Sequence, residues 1–153
     1  MPVALYQPSG TVAALHIGPA EECEEHYSPD GRLIALQFAD LVVELAPFGT
    51  RPVQVAAFRG RITNSNSYEL NRKIHSVIVE AESHFILDLT QLEYINSTGV
   101  AILFALFYKL RQENRQLIVG GLHPFLKRVF DLMDLPDGME VVDSVEDAKG
   151  LIE

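Results

Sequence analysis

Four consecutive small or polar residues, Asn96-Ser97-Thr98-Gly99, bring together more groups that could cap a helix or accept a phosphoryl group than any other stretch of the 153-residue chain. They follow an apolar strand and a short predicted turn, and a strongly apolar helix begins directly after them. A helix N-terminus presents unpaired backbone N–H groups and a partial positive charge, so it favours hydroxyl caps and anions. Ser97 therefore has two interpretations: it caps the helix, or it accepts a phosphoryl group that this terminus stabilises. The residue types alone do not choose between them.

The helix after this motif has two different apolar sides, because about 3.6 residues complete one turn. The first side is expected to pack on a sheet and comprises Leu103, Leu106, Phe107 and Leu110. The second side is a separate flank made of Ala101, Phe104, Ala105 and Tyr108. The two alanines lie one turn apart and would let another protein approach the backbone, where the aromatic rings would anchor it. Core packing is the alternative explanation for those rings.

The elements that must position the motif alternate between strands and helices. Residues 53–62 alternate as a half-buried strand does, and a helix opened by residues 63–67 follows with a 3.6-residue apolar period. Residues 85–89 are almost continuously apolar, as expected for a strand covered on both faces. Later elements are a strand at 116–119 ending at Gly120-Gly121, a helix from Pro124 whose buried face includes Val129, Phe130, Leu132 and Met133, a strand at 139–142, and a last helix capped by Ser144. The alternation predicts an α/β fold with a mixed, partly parallel sheet and about four helices.

Residues 85–110 resemble the centre of a STAS domain, the family of the bacterial anti-sigma factor antagonists. That family carries an apolar strand, an Asp/Asn-Ser-Ser/Thr-Gly motif and an apolar helix, here with Asn96-Ser97-Thr98-Gly99 as the motif. The similarity continues through the helix at 123–132, which resembles the family's Pro-x-x-Lys/Arg-Arg-x-Phe/Leu pattern, and covers about residues 53–153. The resemblance implies a STAS domain at 51–153, preceded by a β-rich extension at 1–50.

The resemblance also implies a site and its partners. The serine after the Asp/Asn is the family's phosphoacceptor, which here is Ser97. An anti-sigma factor with Ser/Thr kinase activity would phosphorylate it, and a PP2C-type phosphatase would reverse the reaction. The partner-binding residues carried over are Asn96, Thr98, Gly99, Ala101, Phe104, Ala105, Tyr108 and Thr63. Two of them depart from the common pattern, because Asn96 and Thr63 both stand where many members have Asp.

Composition narrows the function classes. A net charge of −9 and a pI near 4.9 argue against a nucleic-acid partner, which would need clustered Lys and Arg. The single Cys23 cannot form an internal disulfide, as expected in a reducing cytoplasm. The longest apolar run, residues 100–108, is far shorter than the ~20 residues that span a bilayer, and no signal-peptide pattern begins the chain. We expect a cytoplasmic protein without membrane insertion.

The extension at 1–50 is the least informative part of the sequence. Residues 11–17, 33–38 and 41–45 have strand-like composition, and a short helix is expected near residues 20–27. The acidic run at 21–26 is typical of a solvated loop; a cation site would need a second His or Cys at ligand spacing, so no metal is expected. Residues 28–31, Ser-Pro-Asp-Gly, predict a turn. The extension could pair two chains into a homodimer or sense a small molecule.

No set of residues predicts catalysis. The five histidines are scattered along the chain, and no Gly-rich phosphate loop is present, so we expect no enzyme and no cofactor. The resemblance and the motif together favour a phosphorylation-gated binding module that docks on an anti-sigma factor and is released when Ser97 is phosphorylated. The alternative keeps the fold without the switch, as a constitutive STAS subunit or scaffold partnering an ATPase in an ABC-type transport or stress-signalling complex. In that alternative Ser97 is only a cap.

Overall fold

The computed structural model describes residues 23–49 and 52–152, in which a seven-stranded sheet follows chain order from one edge to the other. Its strands are β1 (Glu24–Tyr27), β2 (Leu33–Phe38), β3 (Leu41–Pro47), β4 (Val53–Ile62), β5 (His84–Ile95), β6 (Leu117–Leu122) and β7 (Val141–Val142). The helices are α1 (Ser67–Glu80), α2 (Ser97–Gln112), α3 (Pro124–Asp131) and α4 (Val145–Leu151). Strands β1 to β4 pair antiparallel, whereas β4 to β7 pair parallel. The predicted mixed, partly parallel sheet with about four helices is confirmed.

The two faces of the sheet carry different helices. Side chains of α1, α2 and α3 join the larger core cluster, together with alternate residues of β2 to β6 such as Phe58 and Leu87. Helix α4 covers a smaller cluster on the opposite face, around Ile86, Ile118 and Ala148. Ile86 and Leu87 are both fully buried although they point in opposite directions, because β5 is covered on both faces. Strands β4 and β5 end at Ile62 and Ile95, directly before the loop that leads to α1 and the start of α2.

The clearest sequence periods gave the most accurate predictions. Strand β4 occupies the expected residues 53–62, and α1 buries Leu70, Ile74 and Ile78. Proline at the first position of α3 and the Ser144 cap of α4 are also as predicted, the Ser144 hydroxyl accepting a hydrogen bond from the Asp147 N–H at 3.0 Å.

The prediction of a short turn between residue 89 and the Asn96 motif is wrong, because β5 continues to Ile95. The Asp88 carboxylate accepts hydrogen bonds from both the N–H and the hydroxyl of Thr90, a local pattern typical of turns. In the fold this pattern accompanies a shift in register, after which β5 resumes its pairing with β4 up to Ile95 and Ile62. Strand β6 likewise runs through Gly120 and Gly121 instead of ending there.

Two further expectations need correction. The prediction of a helix near residues 20–27 is wrong for residues 24–27, which form edge strand β1 and pair with β2. Glu25 on that strand forms an ion pair with Lys73 of α1. Contacts with α1 and β2 therefore outweigh the helix preference of these residues. Leu132 does not belong to the buried face of α3, since its side chain is 89% exposed beyond the helix end. The strand expected at residues 11–17 lies outside the described residues.

The strands predicted at 33–38 and 41–45 are confirmed as β2 and β3, and the turn at 28–31 connects β1 to β2. Strand β3 pairs with β4 along its whole length, from Leu41 opposite Gly60 to Pro47 opposite Gln54. Strands β1 to β3 thus extend the same sheet that carries the Ser97 motif. A domain boundary between residues 50 and 51 stays a prediction. Cys23, half-buried in this region, has its thiol pKa raised to about 12 by burial, so it is a packing residue without thiolate character.

Candidate functional site

The junction between β5 and α2 is organised by Asn96, which caps the helix. Its N–H donates to the Ile62 carbonyl at 3.1 Å and continues the strand pairing, while its own carbonyl accepts the first helical hydrogen bond from Val100. The Asn96 Oδ1 accepts a hydrogen bond from the Gly99 N–H at 2.7 Å. One side chain thereby ends the strand and satisfies one of the unpaired N–H groups of the helix.

Because Asn96 provides the cap, neither of the two hydroxyl residues after it is needed to cap the helix. Ser97 and Thr98 occupy the first two helical positions and are both exposed. Within residues 23–49 and 52–152, neither hydroxyl makes a hydrogen bond. The first turn of α2 also contains no acidic side chain that would repel an anion. Ser97 therefore presents an exposed hydroxyl at the positive end of a 16-residue helix.

A second loop supports this junction from the end of β4. The Asn96 Nδ2 donates to the Oδ1 of Asn64 at 3.1 Å, across 32 positions of sequence. Asn64 lies between β4 and α1, beside Thr63, whose hydroxyl accepts a hydrogen bond from the Ser65 N–H. The predicted partner-binding residue Thr63 is therefore close to the motif in the fold, although its hydroxyl is engaged within its own loop.

The loop itself is held by the buried side chain of Asn66, which is 1% exposed. Its Nδ2 donates to the carbonyls of Ala39 and Arg61, at 2.6 Å and 2.8 Å, and its Oδ1 accepts from the Thr63 N–H at 3.1 Å. Ala39 belongs to the turn between β2 and β3, so one amide fastens that hairpin to the loop that contacts Asn96. The sequence analysis did not identify Asn64 and Asn66. The signal that could have found them is the presence of two side-chain amides in a segment already rich in cap residues.

Gly99 makes the close approach between α2 and the sheet possible. A Cβ at this position would come within 2.7 Å of side-chain carbons of both Ile62 and Ile95, which are buried. The motif therefore needs glycine for packing as well as for entry into the helix.

We expect Gly99→Ala to lower the free energy of unfolding by roughly 1–2 kcal/mol, because overpacking outweighs the better helix propensity of alanine. Gly150→Ala is the matched control in α4, where an added Cβ meets nothing within 4 Å. That variant is expected to gain about 0.5–1 kcal/mol. Urea unfolding at constant temperature measures both, and equal behaviour of the two variants would contradict the packing role of Gly99.

The two sides of α2 are as the sequence predicted. Leu103, Leu106, Phe107 and Leu110 are buried. Ala101, Ala105 and Tyr108 are exposed, and Phe104 is half-buried. We call Ala101, Phe104, Ala105 and Tyr108 the α2 flank. The flank begins one turn after Ser97, so a protein that covers it also reaches the hydroxyl.

An aromatic and cationic stack on the other side of the junction was not predicted. The guanidinium of Arg61 lies 5.0 Å from the centre of the Tyr94 ring, and Tyr94 stacks on Phe125 at 6.2 Å. Tyr94 and Arg61 are paired across β4 and β5, two residues before Asn96 and Thr63 respectively. The sheet register brings Arg61 and Tyr94 together, and the packing of α3 adds Phe125, so no local sequence signal could have found the stack.

Two further properties bear on what the described chain can bind. Within residues 23–49 and 52–152, no group of three or more His, Cys, Asp or Glu side chains is arranged to hold a metal ion. None of the four described helices has the length and apolar character that a membrane crossing requires.

Comparison with known proteins gives this geometry a family. The model of the STAS domain matches residues 49–148, which include every element from β4 to the start of α4. The chain belongs to the STAS domain family. Its STAS domain contains both the Ser97 junction and the α2 flank.

Two known proteins are similar to parts of the chain. The STAS chain is 27% identical over 94 residues to BtrV of Bordetella bronchiseptica, covering 61% of this chain and 81% of that protein. It is 36% identical over 55 residues to the anti-sigma-B factor antagonist of Listeria monocytogenes, covering 36% of this chain and 48% of that protein. The chain thus spans about half the length of that second relative.

A solved structure shows the same fold. The Bacillus cell fate determinant SpoIIAA, in its phosphorylated form, superimposes with a TM-score of 0.54 at 20% identity. The match covers 71% of this chain and 96% of SpoIIAA. At this identity the likeness establishes the fold alone.

Proposed function

We propose that this STAS protein is an anti-sigma factor antagonist whose binding is controlled by phosphorylation of Ser97. The observation that carries the proposal is the exposed Ser97 hydroxyl, which is not needed as the helix cap because Asn96 provides it. The name of the Listeria relative, an anti-sigma-B factor antagonist, supports the class of partner. The protein would act in the cytoplasm as a binding module and not as an enzyme.

In its unphosphorylated state the protein would dock on the anti-sigma factor through the Ser97 junction and the α2 flank. Ala101 and Ala105 are exposed and small, so a partner helix or loop can lie close to the α2 backbone. Tyr108 and Phe104 supply aromatic contact area at the far end of the flank. Asn96, Thr98, Gly99 and Thr63 would complete the contact surface around Ser97.

Phosphorylation would end this contact through its charge. A phosphoserine carries about −1.5 to −2 charges, and a packed interface must either pair or desolvate them. An unpaired buried charge costs several kcal/mol, and ~1.4 kcal/mol is already tenfold in affinity. In the free protein the N-terminus of α2 would stabilise the same phosphate. One modification therefore favours release.

The proposed partners follow from this cycle: an anti-sigma factor with Ser/Thr kinase activity, and a PP2C-type phosphatase that restores the hydroxyl. The uncharged Asn96 in place of Asp lowers the negative charge that the kinase meets beside Ser97. A constitutive STAS subunit, in which Ser97 is only a cap, fits less well, because the cap position belongs to Asn96. A homodimer through residues 1–50 stays a prediction.

Incubation with the kinase-type anti-sigma factor and ATP, followed by intact-mass measurement, tests the acceptor. We expect one phosphoryl group on the wild-type protein and none on Ser97→Ala. Thr98→Ala is the matched control, since it removes the neighbouring exposed hydroxyl and should be modified like the wild type. Equal modification of Ser97→Ala and wild type would remove Ser97 from the proposed role.

A further inference from the structure

A second surface feature begins where the α2 flank ends. Phe104, Tyr108 and Arg111 of α2 form one wall of a cleft of about 490 Å³. The other wall is the loop between α3 and β7, with Asp134, Leu135 and Asp137. Because Phe104 and Tyr108 belong to both the flank and the cleft, a protein bound along α2 would meet the cleft directly.

Arg111 fastens the loop to the helix. Its guanidinium donates a hydrogen bond to the Asp137 carbonyl at 2.7 Å and lies 5.8 Å from the centre of the Phe107 ring. The cleft wall is therefore attached to a helix that is buried along its other side. A preformed wall costs a partner less ordering than a free loop would.

Exposed carboxylates line this cleft and continue onto the end of α3. Asp134 and Asp137 are exposed at the cleft, and Asp131 is exposed at the end of α3. No ion pair among residues 23–49 and 52–152 involves any of the three. Arg111, the basic residue of the cleft, donates a hydrogen bond to the backbone carbonyl of Asp137. The lining of the cleft thus combines apolar and aromatic side chains with Arg111 and with two exposed carboxylates, Asp134 and Asp137, which we call the acidic rim.

We propose that this cleft receives a segment of the anti-sigma factor in which an apolar side chain is flanked by Lys or Arg. The apolar side chain would contact Phe104, Tyr108 and Leu135, and the basic groups would pair with Asp134 and Asp137. A second copy of this chain is a poor occupant, since a net charge of −9 opposes its approach to an acidic rim. This inference rests on the proposed function and extends its interface beyond α2.

The cleft and the phosphoacceptor act as separate parts of that interface. Tyr108 is 11 residues after Ser97 on α2, which corresponds to roughly 16 Å along the helix axis. Exposed charges are largely screened beyond about 8 Å at physiological ionic strength. Removing charge at the cleft therefore weakens encounter with the kinase without changing the chemistry at Ser97.

The test compares two double variants with the same change in charge. Asp134→Asn/Asp137→Asn neutralises the cleft, whereas Asp143→Asn/Glu80→Gln neutralises two exposed carboxylates elsewhere. Calorimetric titration with the purified anti-sigma factor is expected to show binding weakened about three- to tenfold by the cleft variant at low salt, with the difference shrinking as salt rises. The control should stay within about twofold of wild type. In the kinase assay the cleft variant should raise KM and leave kcat unchanged.

The outcomes separate the two proposals. Ala101→Arg, which puts a long cationic side chain on the α2 flank, tests the flank independently. If the cleft variant behaves like the control while Ala101→Arg strongly weakens binding, the cleft assignment is overturned and the proposed function stands. If Ala101→Arg also binds normally, both fail. Self-association of the wild-type protein that the cleft variant abolishes, measured by sedimentation velocity, would make a second copy the occupant and overturn the assignment as well.

Discussion

Ala101→Arg is expected to weaken binding of the anti-sigma factor by at least about a hundredfold while leaving the domain folded. Ala101 is exposed on α2, one turn after Ser97, at the place where a partner would approach the backbone most closely. Arginine is a good helix former, so the helix itself should tolerate it. In the interface, however, a long cationic side chain would fill the space meant for the partner and bury an unpaired charge. Such a charge costs about 3–5 kcal/mol, which corresponds to about two to three and a half decades of affinity.

Asn71→Arg controls for charge and for helix context in this experiment. Asn71 is exposed on a different helix, α1, and the change adds the same single positive charge. Isothermal titration should find this control within about twofold of wild type, and urea unfolding should find both variants within about 0.5 kcal/mol of wild type. Comparable losses of affinity in the two variants would place the contact elsewhere than on α2.

The choice among three possible caps shows where sequence reasoning reached its limit. Asn96, Ser97 and Thr98 are all good N-cap residues, and their intrinsic preferences hardly differ. What decides is burial, because Ile95 must enter the core at the end of β5 and only then can the chain turn into the helix. Asn96 is consequently the cap residue, and Ser97 becomes the first residue of the helix. This outcome depends on the sheet, which no window of local sequence contains.

Regular burial explains the accurate predictions. Strand β4 and helix α1 both place side chains at regular intervals in the larger core cluster, so the sequence predicted the bounds of β4 and the apolar period of α1. The two sides of α2 were predictable for the same reason. Strand β1 was not, because its four residues are mostly exposed and its conformation comes from pairing with β2. Long-range contacts also decided the path of β5 past its turn-like Asp88 and Thr90.

The candidate site likewise has a part that local sequence predicts and a part that depends on long-range contacts. Its exposed chemistry lies in consecutive residues, from Asn96 to Gly99, and the sequence revealed it. Its support comes from residues that are distant along the chain: Asn64 contacts Asn96, and Asn66 joins Ala39 to the loop that carries Asn64. Such support requires the register between β4 and β5, which places Ile62 beside Ile95. The hairpin of β2 and β3 thereby contributes to the geometry around Ser97 without touching it.

Asn66→Ala is accordingly expected to lower the free energy of unfolding by roughly 2–4 kcal/mol, which is large for a residue outside the apolar core. The side chain is almost fully buried and makes three hydrogen bonds to backbone groups. Each buried partner left unpaired costs about 1–3 kcal/mol, although water entering the space would recover part of the loss. Urea unfolding measures the difference directly.

The same change should also slow phosphorylation of Ser97, since the loop would no longer hold Asn64 against Asn96. Asn64→Ala separates the two effects: Asn64 is exposed, so its loss should cost under about 0.5 kcal/mol of stability, yet it removes the contact with the cap. We expect Asn64→Ala to lower kcat for phosphorylation by a modest factor at nearly unchanged stability. If Asn66→Ala proved as stable as wild type, the hairpin would be dispensable for the site. If Asn64→Ala were phosphorylated at the wild-type rate, the cap would hold Ser97 in place without help from the loop, because the Asn96 Oδ1 would still bind the Gly99 N–H.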